Sequence, residues 1–117
     1  MKRLTGSDDA HTPEELESLL EDALVMRDAA LLSGMYEPGA ILMTAHSEPV
    51  TGPEACAQRA LGWWQGDRSY VADPRLVMQA RDLALVVSND CVSVVRRDRT
   101  GCWRYAIVLQ GPDQAKE

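Results

Sequence analysis

The stretch that decides the fold is Asp98-Arg99-Thr100-Gly101-Cys102-Trp103-Arg104-Tyr105-Ala106-Ile107. Asp98 to Gly101 reads as a tight turn, since Asp and Gly satisfy turn geometry for different physical reasons. The run from Cys102 to Leu109 then reads as a strand. Working backwards, Cys91 to Arg97 is a second strand and Leu83 to Ser88 a third, joined by the turn candidate Asn89-Asp90. From Ser69 to Ala80 the even positions Tyr70, Ala72, Leu76 and Met78 share a face. Pro74 interrupts that ladder and marks an edge or a bulge. Arg81-Asp82 is the turn that follows.

The first half of the chain has a different period. Thr12 caps a helix, Pro13 suits its first position, and Glu15 completes a capping box. Leu16, Leu19, Leu20, Ala23 and Leu24 make one apolar stripe, with Glu17, Glu21 and Asp22 largely off it. This helix is predicted to run to about Arg27. Asp28 caps a short second helix through Tyr36, which Glu37-Pro38-Gly39 stops. Ala40 to Thr44 is a short strand, Ala45 to Glu48 its turn, and Pro49-Val50-Thr51 an edge strand. Thr51-Gly52-Pro53-Glu54 opens a third helix carrying Cys56, Ala57, Ala60, Leu61 and Trp64 on one side, and Gln65-Gly66-Asp67 ends it.

Helices first and a meander of strands after them give an α+β fold, with three N-terminal helices packed on a curved, mostly antiparallel sheet. Such a sheet leaves a hollow under the helices. The 117 residues suffice for a single domain, predicted over 12–110 between tails at 1–11 and 111–117.

The net charge of −6 disfavours nucleic acid, because an acidic surface repels phosphates. Arg96, Arg97, Arg99 and Arg104 form a local basic cluster, either a solvated hairpin or an anion site. The three cysteines, Cys56, Cys91 and Cys102, are odd in number and share no metal spacing, which fits a reducing, cytoplasmic setting. The N-terminus has no apolar run behind its basic residues, so no signal peptide is expected, and no segment is long enough to span a bilayer. With no glycine-rich phosphate loop, nucleophile context or carboxylate pair, no cofactor and no metal are expected.

Several motifs in this order resemble the SnoaL-like branch of the nuclear-transport-factor-2-like (cystatin-like cone) superfamily. They are Thr12-Pro13-Glu14-Glu15, Arg27-Asp28-Ala29-Ala30-Leu31, Met35-Tyr36-Glu37-Pro38-Gly39-Ala40, Glu48-Pro49-Val50-Thr51-Gly52-Pro53-Glu54-Ala55, Arg81-Asp82-Leu83-Ala84-Leu85-Val86 and Gly101-Cys102-Trp103-Arg104-Tyr105. The resemblance implies a cone-shaped fold around a pocket and a homodimer paired through the sheet. It does not fix an activity, because the superfamily hosts isomerases, cyclases, dehydratases and assembly modules. One departure is the hairpin at Asn89-Asp90, which is shorter than in family members and shortens a wall of the cone.

Ketosteroid isomerase, an enzyme of this superfamily, uses a carboxylate base and an oxyanion hole of Tyr and protonated Asp. By the resemblance its base position falls on Thr44 and its tyrosine position on Ala23, and its strand aspartate has no equivalent. That catalytic set is therefore not expected here. His46, two residues beyond Thr44, is the candidate catalytic group, read either as an acid–base near the pocket mouth or as an exposed turn histidine.

The pocket-lining candidates are Met26, Tyr36, Thr44, Trp63, Met78, Trp103 and Tyr105. Trp63 and Trp64 project about 100° apart, so Trp63 falls at the helix edge when Trp64 faces the core. Trp103 and Tyr105 are expected inward, with Arg104, Ala106 and Val108 outward. Val77, Val86, Val95 and Val108 would then form an apolar outer patch. Three functions follow from these expectations: a pocket domain holding a small apolar molecule, an enzyme using His46, and a protein-assembly module.

Overall fold

A computed structural model describes residues 9–45, 47–66 and 68–111. The elements are α1 (Pro13–Met26), α2 (Ala29–Ser33), β1 (Tyr36–Thr44), β2 (Val50–Thr51), α3 (Pro53–Trp63), β3 (Leu76–Ala80), β4 (Leu83–Val87), β5 (Cys91–Arg97) and β6 (Trp103–Gln110). The helices pack on one face of a six-stranded sheet ordered β2-β1-β6-β5-β4-β3. All pairs are antiparallel except β1 with β6. This is the α+β architecture that the sequence predicts. The last described strand, β6, lies inside the sheet, between β1 and β5.

The helix ends follow from their residues. The Thr12 hydroxyl accepts from the Glu15 N–H at 3.0 Å, and Asp28 does the same for Leu31 at 3.0 Å. Arg27 ends α1 in the left-handed region, at φ 55°. Its guanidinium then donates to the carbonyls of Trp64, at 2.6 Å, and Leu61, at 2.9 Å, so a cation satisfies the open C-terminal end of α3.

Four boundaries differ from the sequence-based expectation. Helix α2 ends at Ser33, and the strand expected at Ala40 begins at Tyr36. Glu37-Pro38-Gly39 does not stop an element; it sits where the β1–β6 register shifts, between Tyr36 and Ile41, where a strand tolerates a missing N–H. Strand β3 is confined to Leu76–Ala80, because the chain before it, through Pro74, makes no ladder. The chain is also anchored earlier than Thr12: Ala10 is buried and its carbonyl accepts from the Trp103 N–H at 2.9 Å.

The two faces of the sheet are set by cross-strand rows. Val77, Val86, Ser93, Val108 and Leu42 form one row beneath the helices; Ala84, Val95, Tyr105 and Tyr36 form the next. On the other face, Met78, Leu85, Val94, Ile107 and Ile41 form a row, followed by Leu76, Val87, Val92, Leu109 and Met43. The expected outer patch of Val77, Val86, Val95 and Val108 is thus corrected: these valines belong to the inner face. For Val108 the cause is a bulge. Val94 pairs with Ile107 and Val95 with Tyr105, leaving Ala106 as one extra residue in β6. Beyond it the alternation shifts by one, so Trp103 and Tyr105 point inward as expected while Val108 joins them.

Candidate functional site

The inner face of the sheet holds a buried acid. Glu17 lies on α1, three and seven residues before Leu20 and Leu24, and that spacing places it on the buried side of the helix. The expectation that Glu17 lies off the apolar stripe is therefore corrected; the residue is only 3% exposed. Two phenols hold its carboxyl. Tyr105 Oη, from β6, donates to Glu17 Oε2 at 2.5 Å, and Tyr70 Oη, from the segment before β3, donates to Glu17 Oε1. Glu21, one turn on, accepts from the Ala72 N–H at 2.7 Å and ties that segment to α1.

Tyr36 stacks at a tilt against Tyr105, with ring centroids 5.6 Å apart, and Tyr70 meets the edge of Trp64 at 5.2 Å. Glu17, Tyr36, Tyr70, Ser93, Tyr105 and Gln110 line a cavity of about 10 Å³, completed by Leu20, Cys91 and Val108. A space of this size holds about one water.

The electrostatics follow from burial. Removal from water raises the affinity of Glu17 for its proton above that of an exposed glutamate, and the hydrogen bonds from Tyr105 and Tyr70 offset this only in part. The Tyr36, Tyr70 and Tyr105 hydroxyls all hold their protons more tightly than ordinary tyrosines, first through burial and then through neighbouring negative charge. Burial likewise pushes the Cys91 thiol up, with Glu17 adding to it. The site is thus a hydrogen-bonding cluster: phenols that remain donors around a carboxyl whose proton affinity burial raises.

Of the expected pocket residues, the structure brings together Tyr36 and Tyr105. Thr44 and Trp103 are buried but lie outside the lining of this cavity. Trp103 is at the far end of β6, under the Arg97 guanidinium. Trp63 is half-buried against Gly111, where a Cβ would lie 2.3 Å from the indole, and Arg68 stacks over its ring at 3.9 Å. Met26, 59% exposed, and Met78, 57% exposed, leave the interior altogether. Met78 does so because Val77 is the β3 residue packed toward the core. His46 lies outside the described residues. Ala23 is fully buried and Thr44 carries no basic group, so neither position supplies a residue of the isomerase set.

The expected apolar lining is replaced here by carboxyl, phenol, hydroxyl and amide groups. Glu17, Tyr70, Ser93 and Gln110 were absent from the sequence-based candidates. The spacing of Glu17 with Leu20 and Leu24 was the available signal. Three of the four arginines of the basic cluster are paired: Arg96 with Glu37 at 3.0 Å, Arg97 with Asp82 at 2.5 Å, and Arg104 with Asp98 at 2.9 Å. Asp98 also accepts from Thr100, which together with Arg104 holds its carboxyl well below the usual range. Among the described residues no cluster of His, Cys, Asp and Glu could hold a metal ion, and no helix is long and apolar enough to cross a membrane.

No family model matches the chain, and no curated protein matches it. Solved structures do. A ketosteroid isomerase-like protein from Erwinia carotovora atroseptica SCRI1043 is 17% identical, with a TM-score of 0.63 over 82% of this chain and 89% of that one. A domain of unknown function with a cystatin-like fold from Nostoc punctiforme PCC 73102 is 12% identical, with a TM-score of 0.66 over 87% and 75%. An NTF-2 like protein of unknown function from Shewanella oneidensis MR-1 is 12% identical, with a TM-score of 0.59 over 81% and 92%. Together with the helices on a mostly antiparallel six-stranded sheet, these likenesses show that the chain has the cystatin-like fold of the nuclear-transport-factor-2-like proteins.

Proposed function

We propose that the chain is a SnoaL-like association module, two copies of which pair through the outer faces of their sheets. The observation that carries this is the pair of apolar rows running unbroken across five strands, with no helix over them among the described residues. Ile41, Met43, Leu76, Met78, Leu83 and Ile107 are large apolar side chains left open to solvent on that face. An apolar surface of this continuity is retained where another surface covers it. The ion pairs Arg96–Glu37 and Arg104–Asp98 border it at one end, giving the apolar centre and polar rim of a protein interface.

A hollow of about 270 Å³ on the same side, between Met78, Leu83, Leu85 and Val94, suits a partner's apolar side chain. A small apolar ligand in the interior is not part of this proposal, because the cavity beside Tyr36 and Tyr105 is too small and its lining too polar. Sedimentation tests the reading. The wild-type chain is expected to sediment at twice its 12.9 kDa, and Ile107→Asp at the monomer mass with an unchanged circular dichroism spectrum. A wild-type monomer at tens of micromolar, on the order of the concentrations where a micromolar dimer is filled, would sink it.

A further inference from the structure

Sulfur is unevenly placed in this chain. The three cysteines, Cys56, Cys91 and Cys102, are all buried. Burial raises the proton affinity of the Cys56 and Cys91 thiols, which suppresses the thiolate that reacts with oxidants. The methionines divide differently. Met35 is buried in the core, whereas Met26, Met43 and Met78 are open to solvent. Met26 closes α1, on the helix-covered side of the sheet. Met43 on β1 and Met78 on β3 both stand on the outer apolar face.

Met78 lines the hollow of about 270 Å³ with Leu83, Leu85 and Val94. It stands on the edge strand, directly opposite Leu85. The one polar side chain of that lining, Gln79, donates its amide to the Arg81 carbonyl at 3.1 Å. A thioether packs here as an apolar group. Its sulfoxide carries an acceptor oxygen and becomes a polar side chain. On the separate chain Met78 is 57% exposed, so that oxygen stays hydrated and the fold is untouched. Under a second apolar sheet it would lose its water with no donor offered in exchange.

We propose, on the footing of the paired sheets, that Met78 is an oxidation site through which peroxide controls association. The Met78 sulfur of a separate chain attacks one oxygen of hydrogen peroxide. The O–O bond breaks, the S–O bond forms, and the second oxygen leaves as water with both peroxide protons. Sulfur gives up two electrons and the peroxide takes them. The sulfoxide holds the chain apart until a thiol-dependent methionine sulfoxide reductase returns two electrons and releases the oxygen as water. Met26 is a built-in reference: at 59% exposure it matches Met78 on the separate chain, yet it lies away from the paired face.

The test treats the purified chain with hydrogen peroxide at protein concentrations about tenfold below and about tenfold above its dimer dissociation constant. Peptide mass spectrometry reads each sulfoxide, and sedimentation reads the mass. Met26 is expected to oxidise at the same rate at both concentrations, and Met78 about fourfold more slowly at the higher one, where fewer chains are apart. The oxidised chain is expected to pair about hundredfold more weakly, about tenfold for each of the two sulfoxides a pair would bury, with an unchanged circular dichroism spectrum. Reductases acting on both sulfoxide epimers are expected to restore the pair. Met78→Leu is expected to keep most of its affinity after peroxide, whereas Met26→Leu and Met43→Leu are expected to lose theirs as wild type does.

A dimer that keeps its dissociation constant with Met78 oxidised overturns this inference alone and leaves the sheet-face reading standing. So does peroxide that separates Met78→Leu as readily as wild type, or a Met78 that oxidises at one rate at both concentrations while the chain is dimeric at the higher. An untreated chain that is monomeric at every concentration sinks the sheet-face reading, and this inference with it.

Discussion

The two faces of the sheet are almost equally apolar, yet they do opposite things. The inner rows, one through Val86 and Val108 and the next through Val95, are sealed by helices and surround a carboxyl. The outer row through Met78, Leu85, Val94 and Ile107 is open. Adjacent residues illustrate the contrast: Ile107 is 50% exposed and Val108 is 6% exposed. Hydrophobicity therefore does not tell the faces apart. What does is the register, and in β6 the register turns on the extra residue at Ala106.

The largest expected effect is at Val108. Val108→Asp puts an unpaired charge beneath the helices and is expected to cost on the order of 3–5 kcal/mol, enough to unfold a small domain. Urea denaturation measures it, and a near-native midpoint would break the contrast between the faces. Next comes Tyr105→Phe. It removes the donor at Glu17 Oε2 while keeping the ring against Tyr36, for an expected loss of about 1–3 kcal/mol. A loss near zero in the same titration would mean that the carboxyl is satisfied without it.

Glu17→Gln sharpens the comparison through pH. The folded-state proton affinity of Glu17 is raised above its ordinary 4.5. Its contribution to stability is then complete below that pH and is lost as the pH rises through the raised value. Glutamine keeps the shape and cannot ionise. The melting temperature of the variant is expected to gain on that of wild type from about pH 4.5 upward, where the exposed reference group ionises. Parallel curves from pH 4 to 8 would contradict a buried, destabilised acid. The smallest effect on folding is expected at Ile107→Asp, within about 0.5 kcal/mol as for other surface changes, although it is expected to separate the copies.

The helices were legible because their signals are local. Thr12-Pro13-Glu14-Glu15 and Asp28 act within four residues of themselves: the Thr12 and Asp28 side chains cap where that spacing puts them, while the Glu15 carboxylate accepts from the His11 N–H instead of closing the box on Thr12. The α+β class and the meander of the last strands followed from the change in period, whereas the insertion of β6 beside β1 did not. The faces were not legible, since alternation assigns residues to two sides without saying which side the helices cover. The bulge at Ala106 leaves no mark in the composition. Glu17 is an intermediate case: its spacing to Leu20 and Leu24 is readable, but an acid at such a position reads as an edge residue until a partner is known. Its partners Tyr70 and Tyr105 lie 53 and 88 residues away, a separation no local pattern reports.

The position of β6 has a consequence for how this chain is made. Of the six described strands it is the last to leave the ribosome, yet it is the seam between the β1–β2 pair and the β3–β4–β5 meander. Until it arrives, the nascent chain holds two half-sheets, each showing an unpaired edge to its surroundings. A truncation just before Trp103 is thus expected to yield a sticky, protease-sensitive polypeptide rather than a smaller domain.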